Sequence, residues 1–116
     1  MIKQSIYPED YQQTRGFYSP AIKIDIGNSE LIFVSGQQIA KNENNEAITN
    51  DINEQTEYVF QQLEKILNSA GSSLDDVVKA QIFLTDINDF TKVSAIRDKY
   101  FAKSKPVSTL VEVNAM

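Results

Sequence analysis

Pro106–Val113, PVSTLVEV, is the stretch of this chain with the most chemistry to offer. It follows a Lys-rich turn, opens on proline and continues in β-branched and apolar residues, the pattern of a strand. Side chains alternate faces along a strand. Val107, Thr109, Val111 and Val113 therefore share one face, which reads as core. Ser108, Leu110 and Glu112 share the other. A hydroxyl, an apolar side chain and a carboxylate on one face make a candidate wall for a small-molecule site. Two further features stand out. Tyr18 lies in the loop Gly16-Phe17-Tyr18-Ser19-Pro20, where a tyrosine is more often a packed aromatic than a site residue. Gly36 ends an apolar strand, which suggests a bulge or a close backbone approach.

What the chain lacks narrows the chemistry further. Among its 116 residues there is neither histidine nor cysteine. That removes a thiol nucleophile, a Ser-His-Asp triad, most zinc and copper sites and the usual base near neutral pH. No carboxylate cluster has the spacing of a calcium loop, so no metal is expected. The net charge of −5 speaks against non-specific binding to nucleic acid or to an anionic membrane. The N-terminus is polar and no apolar run approaches the ~18 residues of a membrane span. Residues 1–116 are read as one domain of a cytoplasmic protein.

The elements that would position these residues follow from periodicity. Lys3–Ile6 predicts a short edge strand. Ile22, Ile24 and Ile26 alternate with Lys23 and Asp25, and after the turn Gly27–Glu30 the run Leu31–Ser35 is apolar on both faces. Together they predict an antiparallel hairpin. Asp51 has Glu54 three residues on, the spacing of a capping box. Ile52, Val59, Leu63, Ile66, Leu67 and Ala70 follow at helical spacing, and Gly71 suits the position after a helix end. Val77–Leu84 predicts a buried strand, and Asp86–Asp89 a turn that caps a second helix. The buried stripe of that helix is Phe90, Val93, Ile96, Tyr100 and Phe101. The order is β, β-hairpin, α, β, α, β. Right-handed crossovers would pack both helices on one face of one mixed sheet, an α+β fold. The other sheet face, with Leu31 or Ile32, Phe83 and Leu110, is too apolar for water and predicts self-association.

Assembled in this order, the segments resemble the RidA/YjgF family, small imine deaminases also described as L-PSP endoribonucleases or translation inhibitors. The resemblance rests on Gly16-Phe17-Tyr18-Ser19, Phe33-Val34-Ser35-Gly36-Gln37 and Asp51–Gly71. It rests also on Ala70–Lys79, Asp86-Ile87-Asn88-Asp89-Phe90 and Val111-Glu112-Val113. It implies a chorismate-mutase-like fold and a homotrimer whose sheets form a central barrel, with clefts between subunits. Tyr18, Ser35, Gly36 and Asn88 match cleft positions of the family. The implied reaction is hydrolysis of amino-acid-derived enamines or imines to a 2-keto acid and ammonia, without a cofactor.

The sequence departs from that pattern at its most informative strand. The family motif reads P-A-R-S-C-V-E-V, and its arginine holds the substrate carboxylate. Here Ser108 occupies the arginine position and Leu110 the cysteine position. The family's further strand, which carries a glutamate that positions the hydrolytic water, has no counterpart before Met116. Arg15 and Lys105 are the candidate replacement anchors, and Arg97 lies on the second helix. Loss of a bidentate arginine removes about 2–4 kcal/mol of carboxylate binding, roughly 30- to 1,000-fold in affinity. The favoured reading is a family homotrimer that binds a small metabolite, preferably neutral, in clefts walled by Tyr18, Ser35, Gly36, Asn88, Ser108, Leu110 and Glu112, without the usual deamination. An active deaminase anchored elsewhere is the alternative. A fold kept only for assembly is another, with Ser108 and Leu110 as plain packing residues. A ribonuclease is disfavoured by the missing histidine and the acidic balance.

Overall fold

The computed structural model describes residues 2–10 and 16–116. Strand β1 (Ile2–Ile6) is an edge strand antiparallel to β2 (Ala21–Asp25), which in turn pairs antiparallel with β3 (Glu30–Val34). Helix α1 (Ile52–Ser69) leads through a short 3-10 turn (Leu74–Asp76) to β4 (Lys79–Leu84). A second 3-10 turn (Ile87–Asp89) opens onto helix α2 (Phe90–Tyr100), and β5 (Val107–Glu112) pairs parallel with β4. The expected α+β order is therefore present. The expected single mixed sheet is not: hydrogen bonding divides the described strands into β1-β2-β3 and β4-β5. The reason is pairing. Local patterning predicts each strand and the hairpin, but β3 and β4 share no hydrogen-bonded ladder across the α1 crossover.

Local signals explain α1. The Asp51 carboxylate accepts from the backbone N–H of Asn53 (2.8 Å) and Glu54 (3.3 Å), satisfying two of the donors a helix start leaves open. The backbone N–H of Asp51 donates to Thr49 Oγ1 (3.1 Å). At the other end Ser72 N–H donates to Leu67 O and Gly71 N–H to Asn68 O, a Schellman closure. Gly71 sits at φ +79°, a left-handed conformation that glycine adopts without penalty.

The core forms where the two sheets rest on the helices. Ile6, Ala21, Ile66 and Ala70 make one cluster and Phe60, Leu67, Leu74 and Phe101 another; Ile32 and Val34 of β3 pack against both. Phe60 stacks on Tyr100 at 4.9 Å and meets Phe101 edge-on at 5.2 Å, arrangements that aromatic quadrupoles favour. On α2, Val93 is buried as expected, whereas Phe90 is exposed.

The pleat of β5 is the reverse of the sequence expectation. Ser108 stands opposite Ala80 and Leu110 opposite Ile82, on the face where Ala80 packs into the core and Leu84 is buried. Val107, Thr109 and Val111 fall on the helix-distal face with Lys79, Gln81 and Phe83, and Val107 is 69% exposed. Alternation determines which residues share a face, but not which face the helices cover. For the same reason Leu110 and Ile32 leave the expected uncovered face, while Leu31 and Phe83 remain on it.

Candidate functional site

The expected site residues fall into three groups, one beside the first sheet and two at opposite ends of the second. The first group surrounds the end of β3. Ser35 Oγ donates to Ser19 O (2.6 Å) and Ser35 N–H to Pro20 O (2.9 Å), so the loop carrying Tyr18 is tied to the Ser35–Gly36 corner. Ser19 Oγ donates to Ser5 Oγ (2.8 Å) and lies 3.4 Å from Tyr7 Oη. Tyr18 is about half exposed. A Cβ on Gly36 would meet nothing within 4 Å. Among the described residues nothing therefore demands glycine there.

The second group lies at the far end of β4 and β5. Glu112 Oε1 accepts from the backbone N–H of Ile87 (2.9 Å), and Asp86 Oδ1 accepts from Asn88 N–H (3.0 Å). Glu112 thus braces the 3-10 turn that presents Asn88, a contact across 25 residues that local pattern does not reveal. Ser108 and Glu112 share a face but are four residues apart, about 13 Å along a strand.

The third group is at the start of β5. Ser108 and Lys105 line an open groove of about 510 Å³ with Arg97, Asp98, Phe101 and Pro106. In the sequence Arg97 falls on the second helix, with no local sign of a link to Ser108. The helix-to-strand turn brings them to one groove. Arg97 Nε donates to Asp98 Oδ1 (3.1 Å). Arg15, the other candidate anchor, lies outside the described residues. Among the described residues no three acidic side chains converge as a metal ion would need, and no helix is long and apolar enough to cross a membrane.

Two antiparallel and parallel sheet fragments backed by two helices, with polar groups clustered at strand ends, define a small α+β protein whose walls are presented at its surface. The chain belongs to the RidA/YjgF family. The family model described as Endoribonuclease L-PSP matches residues 9–116. A RutC family protein of Pyrococcus abyssi is 42% identical over 116 residues, covering all of this chain and 88% of the relative. Protein HMF1 of Saccharomyces cerevisiae is 39% identical over 99 residues, 85% of this chain and 73% of that one. Among solved structures, a Rid-family protein of unknown function from Yersinia pestis superposes with a TM-score of 0.84 at 32% identity, covering 99% of this chain and 89% of that one.

Proposed function

We propose that the chain forms a homotrimer that binds a small metabolite in clefts between subunits and does not run the imine deamination associated with its family. The observation that carries this reading is the division of the expected site. Tyr18, Ser35 and Gly36 lie beside one sheet, Asn88, Ser108, Leu110 and Glu112 on or beside the other, and the first three do not line the groove at Ser108. Walls of this kind enclose a ligand when a second copy supplies the opposite side. Gly36, with open space in front of it, suits such an approach. Exposed apolar side chains on both sheets support the assembly: Leu31, Phe33, Phe83, Val107 and Val111 are all exposed on one protomer, apolar surface that water disfavours.

The missing activity rests on Ser108. A serine lacks the planar fork that grips and orients a carboxylate, and Glu112 is already bonded to Ile87. A cytoplasmic location belongs to the same reading, although two yeast relatives carry "mitochondrial" in their names. The test is ammonia release from freshly generated 2-aminoacrylate. Wild type and Arg15→Ala are expected to match the spontaneous rate. Acceleration by wild type that Arg15→Ala abolishes would replace this reading with an active deaminase anchored from the N-terminal loop. RNA cleavage that co-elutes with the purified protein would replace it with a nuclease.

A further inference from the structure

We infer that Glu112 is a positioning residue: through the backbone of Ile87 it fixes the turn that presents the Asn88 carboxamide, and it does not itself meet the ligand. The inference deepens the cleft reading and rests on it only for Asn88 facing a small neutral metabolite.

Packing does not hold this turn. Leu84 before it and Val93 after it are buried, but Ile87 and Phe90 between them are both 45% exposed. With so little apolar burial, the conformation of Ile87–Asp89 depends on polar bonds. Asp89, at the start of α2, makes no side-chain cap bond. The N–H groups at this end are taken by carboxylates outside the helix, Ile87 N–H by Glu112 and Asn88 N–H by Asp86. A carboxylate on an N–H at the start of a helical turn makes a charge-assisted bond that the helix field favours.

The two carboxylates act differently. Asp86 bonds two residues along its own chain, a local bond that travels with the turn wherever the turn goes. Glu112 belongs to β5. Its backbone is pinned beside Leu84 by the strand register and by Val113 N–H, which donates to Leu84 O (2.7 Å). Among the described residues, the Glu112 bond is the side-chain tie between the turn and the sheet. It therefore sets where Asn88 stands relative to β5. Asn88 is exposed, and its carboxamide makes no hydrogen bond among the described residues. A donor and an acceptor are thus left for a ligand, on a backbone fixed before the ligand arrives, which lowers the ordering cost of binding.

Reach and charge separate this role from direct contact. Glutamine keeps the accepting oxygen at the same reach and loses only the charge. Aspartate keeps the charge but is one carbon–carbon bond short, about 1.5 Å. A positioning role tolerates Glu112→Gln and not Glu112→Asp. A residue that met the ligand through its charge would not tolerate Glu112→Gln.

The test is amide hydrogen exchange at Ile87, combined with a chemical-shift titration of the full chain with L-lactamide, a small neutral amide. Exchange at Ile87 should quicken by about 10-fold in Glu112→Ala and Glu112→Asp, the loss of one charge-assisted bond, and by much less in Glu112→Gln. Exchange at Val93 should not change, which shows that the variants still fold. Should Glu112→Ala fail to fold, Glu112→Asp against Glu112→Gln makes the same comparison. Lactamide should bind about 10-fold more weakly to Glu112→Ala and Glu112→Asp, and Glu112→Gln should restore most of that loss. Because the effect runs through Asn88, adding Glu112→Ala to Asn88→Ala should weaken lactamide no further. Ile87 exchange indifferent to Glu112→Ala and Glu112→Asp, or additive losses in the double variant, would overturn the positioning role. So would lactamide weakened as much by Glu112→Gln as by Glu112→Asp. Ile87 exchange that responds as expected, with no lactamide shift at Asn88 in wild type, keeps the tie to the turn and discards the cleft reading. Lactamide shifts at Asn88 that every Glu112 variant retains at wild-type affinity keep the cleft and discard the positioning role.

Discussion

Glu57 on α1 accepts hydrogen bonds from both Lys99 Nζ and Tyr100 Oη on α2. The Lys99 bond, and after it the Tyr100 bond, hold the Glu57 carboxyl below its ordinary range; burial, and after it the bond to Glu57, push the Tyr100 phenol up. The direction has a consequence for stability. A carboxyl whose folded pKa is depressed contributes stability above its unfolded value, about 4.3, and loses it as pH falls through the folded value. Glu57→Gln is therefore expected to lower stability by about 1 kcal/mol at pH 7, and the difference should be smaller at pH 3. Urea denaturation at the two pH values checks this; an equal difference at both would contradict it. Residues of this kind were not readable from sequence, because Glu57 and Tyr100 are 43 positions apart. Ser108 was readable, because its neighbours in Pro106–Val113 make its departure visible. Its groove partner Arg97 was not, because only the turn at Phe101–Lys105 folds α2 back onto the strand.

Elements follow local rules closely where those rules are local. The Asp51 cap and Gly71 closure of α1 were legible as residue types at fixed offsets, and both act through backbone bonds within a turn. Asp51→Ala should cost about 1 kcal/mol, and Gly71→Ala about 1–2 kcal/mol for forcing a side chain into the left-handed region. Thermal melts of the two variants measure these losses, and a neutral Gly71→Ala would mean that the helix end rearranges. The strands show the limit of the same reasoning. β5 alternates as its sequence says, yet its β-branched face is the open one and Ser108-Leu110 lies toward the helices. Pattern fixes parity, and tertiary packing assigns the faces. The two-sheet division is likewise a matter of long-range pairing, since β3 and β4 share no ladder and no local signal carries that.

At the scale of the molecule, the uncovered sheet faces are the feature one protomer leaves unexplained. Ile22 stands beside Phe33, Ile24 beside Leu31 and Phe83 beside Val111, and of these Leu31, Phe33, Phe83 and Val111 are exposed, Phe33 to 60%. Burying such a surface against copies of itself would recover about 25 cal/mol per Å² of apolar area. A charge placed there would have to be buried with it, so Phe33→Asp is expected to dissociate the assembly without unfolding α1 and α2, as judged by circular dichroism. Native mass spectrometry of the wild-type chain tests the central claim most directly, since the proposed cleft exists only between copies. Three copies at micromolar concentration, falling to one in Phe33→Asp, is the predicted result. A wild-type spectrum of monomer alone would contradict the account.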